Sequence, residues 1–121
     1  MNDVELVSQF IEKMVAHDAD GAVAFMSDDV FVHNIPIEPT RSKEEWKQRM
    51  VAYDFSEGFK IEMVNIASDG NGNVLTERVD SFMRRGAWID IPIMGAFTIK
   101  DGLIVSWREY FDLATAKAII A

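Results

Sequence analysis

Residues 59–111 run FKIEMVNIASDGNGNVLTERVDSFMRRGAWIDIPIMGAFTIKDGLIVSWREYF, and their reading decides the fold. Phe59 to Ser68, Val74 to Arg84, Trp88 to Lys100 and Leu103 to Phe111 all read as strands. They are separated by Asp69-Gly70-Asn71-Gly72, by Arg85-Gly86-Ala87 and by Lys100-Asp101-Gly102, which have the composition of short hairpin turns. Four long strands joined by tight turns predict an antiparallel meander.

The first half has a different period. Val4, Val7, Phe10, Ile11, Met14 and Val15 recur at helical spacing, and Asn2 with Glu5 has the spacing of a capping box. His17-Asp18-Ala19-Asp20-Gly21 breaks that helix, and Ala22 to Met26 reads as a short second one. Val30 to Asn34 reads as a brief strand ended by Pro36 and Pro39. Ser42-Lys43-Glu44-Glu45 is a second capping box, opening a helix that runs to about Tyr53. Ala114 to Ile120 closes the chain as a short helix. Helices first and a strongly paired sheet afterwards predict an α+β domain. A curved, mostly antiparallel sheet packed against the N-terminal helices would leave a pocket inside its concave face.

The chain has 121 residues, a length that suits one domain over residues 1–121. Nearly half the residues are hydrophobic, enough for a core. The net charge of −8 argues against a nucleic-acid partner, because phosphate binding needs a basic patch. The absence of cysteine excludes disulfides, thiolate metal sites and a cysteine nucleophile. Met1-Asn2-Asp3-Val4-Glu5 lacks the basic start and apolar run of a signal peptide, and no apolar stretch approaches the ~20 residues of a membrane span. The expectation is a soluble, cytoplasmic protein without a membrane partner.

Two acidic motifs carry the chemistry: Glu77-Arg78-Val79-Asp80 and Glu109-Tyr110-Phe111-Asp112. Arg78 and Asp80 are two apart, so on a strand they face the same side. With a second Asp from another strand they would form a buried Asp-Arg-Asp cluster. Buried charge is costly unless paired, so a small domain that carries such a cluster has a use for it. His17 and His33 form no metal pair, and no metal-ligand spacing appears. No serine sits in a nucleophile elbow, and Asp69-Gly70-Asn71-Gly72 is a hairpin turn rather than a phosphate cradle.

Together, Asn34-Ile35-Pro36, Leu75-Thr76-Glu77-Arg78-Val79-Asp80, Ile93-Met94-Gly95-Ala96-Phe97 and the run from Gly102 through Trp107-Arg108-Glu109-Tyr110-Phe111-Asp112 to Leu113 resemble the limonene-1,2-epoxide hydrolase family. The resemblance spans about Val30 to Leu113. It implies the cone-shaped nuclear-transport-factor-2-like fold, a homodimer, and a cofactor-free enzyme that opens a hydrophobic epoxide to a vicinal diol in one step. It also assigns roles. Asp112 is the base that activates water, Asp80 is the acid that protonates the oxide oxygen, Arg78 bridges them and Asn34 holds the water. The family's water-binding tyrosine falls on Val32, so Tyr110 or Tyr53 would have to supply that hydroxyl from elsewhere. Val32, Phe82, Ile91 and Ile93 are the candidate substrate-pocket residues.

The chemistry explains the residue types. A water must lose a proton as it attacks carbon, while the ring oxygen gains one as it leaves. One carboxyl must be ionised and the other protonated, and two acids sharing one Arg can divide that way. Two other readings remain open from sequence: an isomerase or cyclase of the same superfamily, and a non-catalytic dimer that binds apolar ligands.

Overall fold

The computed structural model describes residues 1–35, 37–53 and 55–120, the last three as backbone only. Nine elements follow in order: α1 (Asp3–Val15), α2 (Ala19–Val23), β1 (Met26–Ile35), α3 (Lys43–Ala52), β2 (Phe59–Ser68), β3 (Asn73–Arg84), β4 (Ala87–Lys100), β5 (Leu103–Tyr110) and α4 (Leu113–Ile120). The strands form one mixed sheet in the order β1-β5-β4-β3-β2. β2 to β5 are the antiparallel meander, and β1 adds to β5 in parallel.

Local chemistry sets most of the boundaries. The Asn2 side chain accepts a hydrogen bond from Glu5 N at 2.8 Å and its amide donates to Glu5 Oε1 at 3.1 Å, which opens α1. Ser42 accepts from Glu45 N at 3.1 Å and opens α3. The β3–β4 and β4–β5 hairpins turn through Arg85-Gly86 and Asp101-Gly102, all four with positive φ. That is the backbone twist two-residue hairpins need.

Two expected elements lie elsewhere. The short second helix begins at Ala19 rather than Ala22, because Asp18 caps it by accepting from Gly21 N at 2.9 Å. Met26 therefore already belongs to β1, which runs ten residues instead of the brief Val30–Asn34. Parallel pairing with β5 holds its two ends, Met26↔Ile104 and then Phe31↔Ser106 to Ile35↔Tyr110, with an irregular stretch between them. Pro36, read from sequence as ending this strand, lies outside the described residues.

The helices lie on the sheet's inner face. Leu6, Val7, Phe10 and Ile11 of α1 are buried there with Trp46 and Met50 of α3. Phe10 is the hub: its ring centroid lies 5.7 Å from Trp46, 6.2 Å from Phe97 and 5.2 Å from Trp107. Each such aromatic pair contributes about 0.5–1.5 kcal/mol beyond area burial. This plug fills one part of the concave face, and the charged cluster and the cavity occupy another. Among the described residues no helix is long and apolar enough to cross a membrane.

Candidate active site

On β3 the buried positions alternate as Val74, Thr76, Arg78 and Asp80, so the strand turns these side chains inward. Arg78 is 1 % exposed, and its guanidinium is fully engaged. Nε donates to Asp80 Oδ1 at 3.2 Å and Nη2 to Asp80 Oδ2 at 3.0 Å. Nη1 donates to Glu109 Oε2 at 3.0 Å and Nη2 to Glu109 Oε1 at 2.5 Å. Nη1 also donates to Thr76 Oγ1 at 3.2 Å. Two bidentate forks on one guanidinium use the geometry that arginine offers and lysine lacks. Burying three ions costs several kcal/mol each, and charge-assisted hydrogen bonds at about 1.5–3 kcal/mol apiece offset much of that.

The second carboxylate paired with Arg78 is therefore Glu109, and Asp112 does not reach the guanidinium. β5 ends at Tyr110, and Asp112 stands beyond it, exposed. There Asp112 accepts from Thr115 N at 3.1 Å and from Thr115 Oγ at 2.6 Å, closing the first turn of α4. Those hydrogen bonds from the Thr115 hydroxyl and backbone hold its carboxyl below the ordinary range. Glu109 is 4 % exposed and sits two residues after the buried Trp107 on the same strand face.

Burial pushes the Glu109 carboxyl up. The charge and hydrogen bonds of Arg78 oppose that rise, and the charge of Asp80 adds to it. Burial alone would lower the Arg78 pKa, but the charges and hydrogen bonds of Glu109, then Asp80, outweigh it and raise it. Two acids around one cation in a dry site are best served by a single shared proton.

The cluster opens into a cavity of about 170 Å³, lined by Asn34, Asp80, Phe82, Ile91, Ile93 and Glu109 together with Tyr53, Phe55 and Phe111. Apart from the two acids, Asn34 and Tyr53, that wall is apolar. Asn34 of β1 is the register partner of Glu109 on β5. The fold thus brings Arg78, Asp80, Asn34, Phe82, Ile91 and Ile93 together. Val32 instead lines a second, smaller cavity behind Asn34 and Tyr53. Of the two tyrosines that could stand in for a residue at Val32, Tyr110 is half exposed beside the inward Glu109 and faces the other way. Tyr53, just after α3, lines both cavities. Among the described residues no group of three His, Asp or Glu side chains is placed to hold a metal.

The family model for the limonene-1,2-epoxide hydrolase catalytic domain matches residues 1–119. The chain belongs to that family. A curated relative, epoxide hydrolase EphG of Mycobacterium tuberculosis, is 28% identical over 107 residues, covering 88% of this chain and 71% of that protein. The solved structure of an M. tuberculosis LEH-like epoxide hydrolase superposes with a TM-score of 0.80 at 27% identity, over 97% of this chain and 88% of that one. A SnoaL-like protein from Jannaschia sp. superposes with a TM-score of 0.79 at 16% identity, over 99% and 95% of the two chains, a likeness of fold alone. The chain thus shares the nuclear-transport-factor-2-like architecture of its structural neighbours, and at family level the activity is epoxide hydrolysis.

Proposed function

We propose that this protein hydrolyses a hydrophobic epoxide to a vicinal diol in one step, using Asp80, Arg78 and Glu109 as its acid–base group. One observation carries the reading: a guanidinium forked onto two carboxylates at the wall of an apolar cavity, beside Asn34. Glu109 is the base, because its register neighbour Asn34 can hold a water against it. As the water oxygen bonds to a ring carbon, a water proton passes to Glu109. The ring C–O bond breaks, and its oxygen takes the proton the two acids share, delivered from Asp80. Arg78 keeps the cluster's charge balanced while the proton moves from one acid to the other. Nothing is left over: water and epoxide give the diol, and proton return from Glu109 to Asp80 resets the site.

Phe82, Ile91 and Ile93 take the hydrocarbon part of the epoxide. The protein acts as a homodimer through the outer sheet face, where Leu75, Met94 and Tyr110 are each about half exposed. Light scattering at micromolar concentration tests that assembly, and a monomer would end it.

The activity is tested by diol formation from limonene-1,2-epoxide, styrene oxide and cyclohexene oxide, with Asp80→Asn and Glu109→Gln alongside. Each variant is expected to lose about 10²–10⁴-fold in rate, the scale of one general acid or base. A folded wild type that opens none of them would defeat the reading.

A further inference from the structure

Epoxide hydrolysis has two substrates, and the main cavity is shaped for one. An epoxide seated against Phe82, Ile91 and Ile93 displaces solvent from that apolar wall. The nucleophilic water then needs its own place. The second cavity, about 80 Å³, shares Asn34 and Tyr53 with the first. Its other walls mix Thr40 and Arg49 with Val32, Trp46 and Met50. A buried water needs roughly 10–15 Å³ of such space and 2–4 polar partners, so this cavity has room and partners for a small cluster.

Thr40 adds an independent sign. It is 2 % exposed and fixed to β1 by Thr40 N to Val32 O at 2.8 Å and Val32 N to Thr40 O at 3.0 Å. Its Oγ1 is buried and has no hydrogen-bond partner among the described residues. A buried hydroxyl in that condition marks a place where a water belongs. Arg49 is held nearby, donating from Nη1 to Glu38 O at 2.7 Å.

We propose that the second cavity is a water site that supplies the nucleophile, handing it past Asn34 and Tyr53 to Glu109 while the epoxide fills the main cavity. The inference rests on the epoxide-hydrolase reading. It makes Val32 a wall of the water site rather than of the substrate pocket.

The test has a kinetic and a structural arm. Val32→Leu narrows the second cavity from a residue that does not line the first, and Thr40→Val exchanges the hydroxyl for a methyl of similar size. In both, kcat for the epoxide is expected to fall by about tenfold with KM held within about twofold, as when one reactant is no longer positioned. A crystal structure of the wild type with the isosteric cyclopropane, which cannot open, is expected to show ordered waters between Thr40 and Asn34. Unchanged kcat in both variants, a KM that rises in step, or a dry cavity in that crystal overturns the proposal. If Val32→Leu fails to fold, Thr40→Val and the crystal decide. A wild type inactive on every epoxide defeats the functional reading and the supply role together, while ordered waters would still establish the site itself.

Discussion

Asp80 and Glu109 share one guanidinium nitrogen: Arg78 Nη2 donates to Asp80 Oδ2 at 3.0 Å and to Glu109 Oε1 at 2.5 Å. The two acids stand on β3 and β5, which are not neighbours in the sheet, because β4 runs between them. Adjacent strands are about 4.8 Å apart, so Arg78 must cross a whole strand to reach Glu109. It crosses over Gly95, the β4 residue registered with both Thr76 and Glu109. The site therefore depends on a missing side chain as much as on the three that are present.

Gly95→Ala should show this directly. An added Cβ would overlap Glu109 Oε2 and lie 2.8 Å from both Arg78 Nη1 and Thr76 Oγ1. These are the polar ends of a locked cluster. We expect a loss of about 1–3 kcal/mol in urea melts, the usual scale of overpacking. Diol formation should fall by about 10²-fold or more, since a shift near 1 Å disorders the pair. A variant with near-normal activity would mean that the forks on Arg78 are not what positions the acids.

Arg78→Met removes the cation and leaves two buried acids facing each other. Breaking a buried ion pair from one side costs about 3–5 kcal/mol, and that loss is expected near pH 7. It should shrink at low pH, where Glu109 is protonated in the folded and the unfolded chain alike. Arg78→Lys should recover part of the stability and little of the rate, because an ammonium cannot fork onto two carboxylates. Denaturant melts at several pH values, beside initial rates, separate the two effects.

The raised carboxyl of Glu109 makes activity and stability move in opposite directions with pH. Its folded pKa lies above its ordinary value of 4.5, so the folded state holds this proton more tightly than the unfolded chain. That contribution is fully present below 4.5 and is lost as pH rises through the folded pKa. The Tm of the wild type relative to Glu109→Gln should therefore fall across that window. The base works only when ionised, so kcat/KM should climb across the same window. Rates that stay flat down to pH 4.5, or a Tm difference that ignores pH, would remove Glu109 from the role of base.

The meander was legible because each strand is long and each turn carries its glycine; Asp69-Gly70-Asn71-Gly72 and Asp101-Gly102 stand where the hairpins turn. Arg78 and Asp80 were legible from a spacing of two on an uninterrupted strand. The second acid was not, and β5 shows why. Thr98 pairs with Ser106 but Ile99 pairs with Ile104, so Val105 is an extra residue bulged out of the ladder. Asp112 was assigned by matching its motif to the family's, and plain alternation from the buried Ile104 would have turned Glu109 outward. The bulge shifts the inward face to Trp107 and Glu109. Tyr53 was only one of two candidate hydroxyls, because its place between the cavities depends on how α3 packs against β1, a contact no local pattern encodes.

Asp112 gives the sharpest separation between the motif and the structure. Its carboxylate serves α4, accepting from the backbone and hydroxyl of Thr115, and it is exposed. Asp112→Ala should thus lower Tm slightly and leave the rate within about threefold, while Glu109→Gln removes about 10²–10⁴-fold. The lowered carboxyl gives a second check with the opposite pH sense to Glu109. What Asp112 adds to stability is present above its ordinary 3.8 and disappears as pH falls through the lower folded value. The Tm gap between wild type and Asp112→Ala should close only in strong acid. If Asp112→Ala instead abolished diol formation in a folded protein, the second carboxylate of the mechanism would be Asp112 after all, and Glu109 would revert to a structural partner of Arg78.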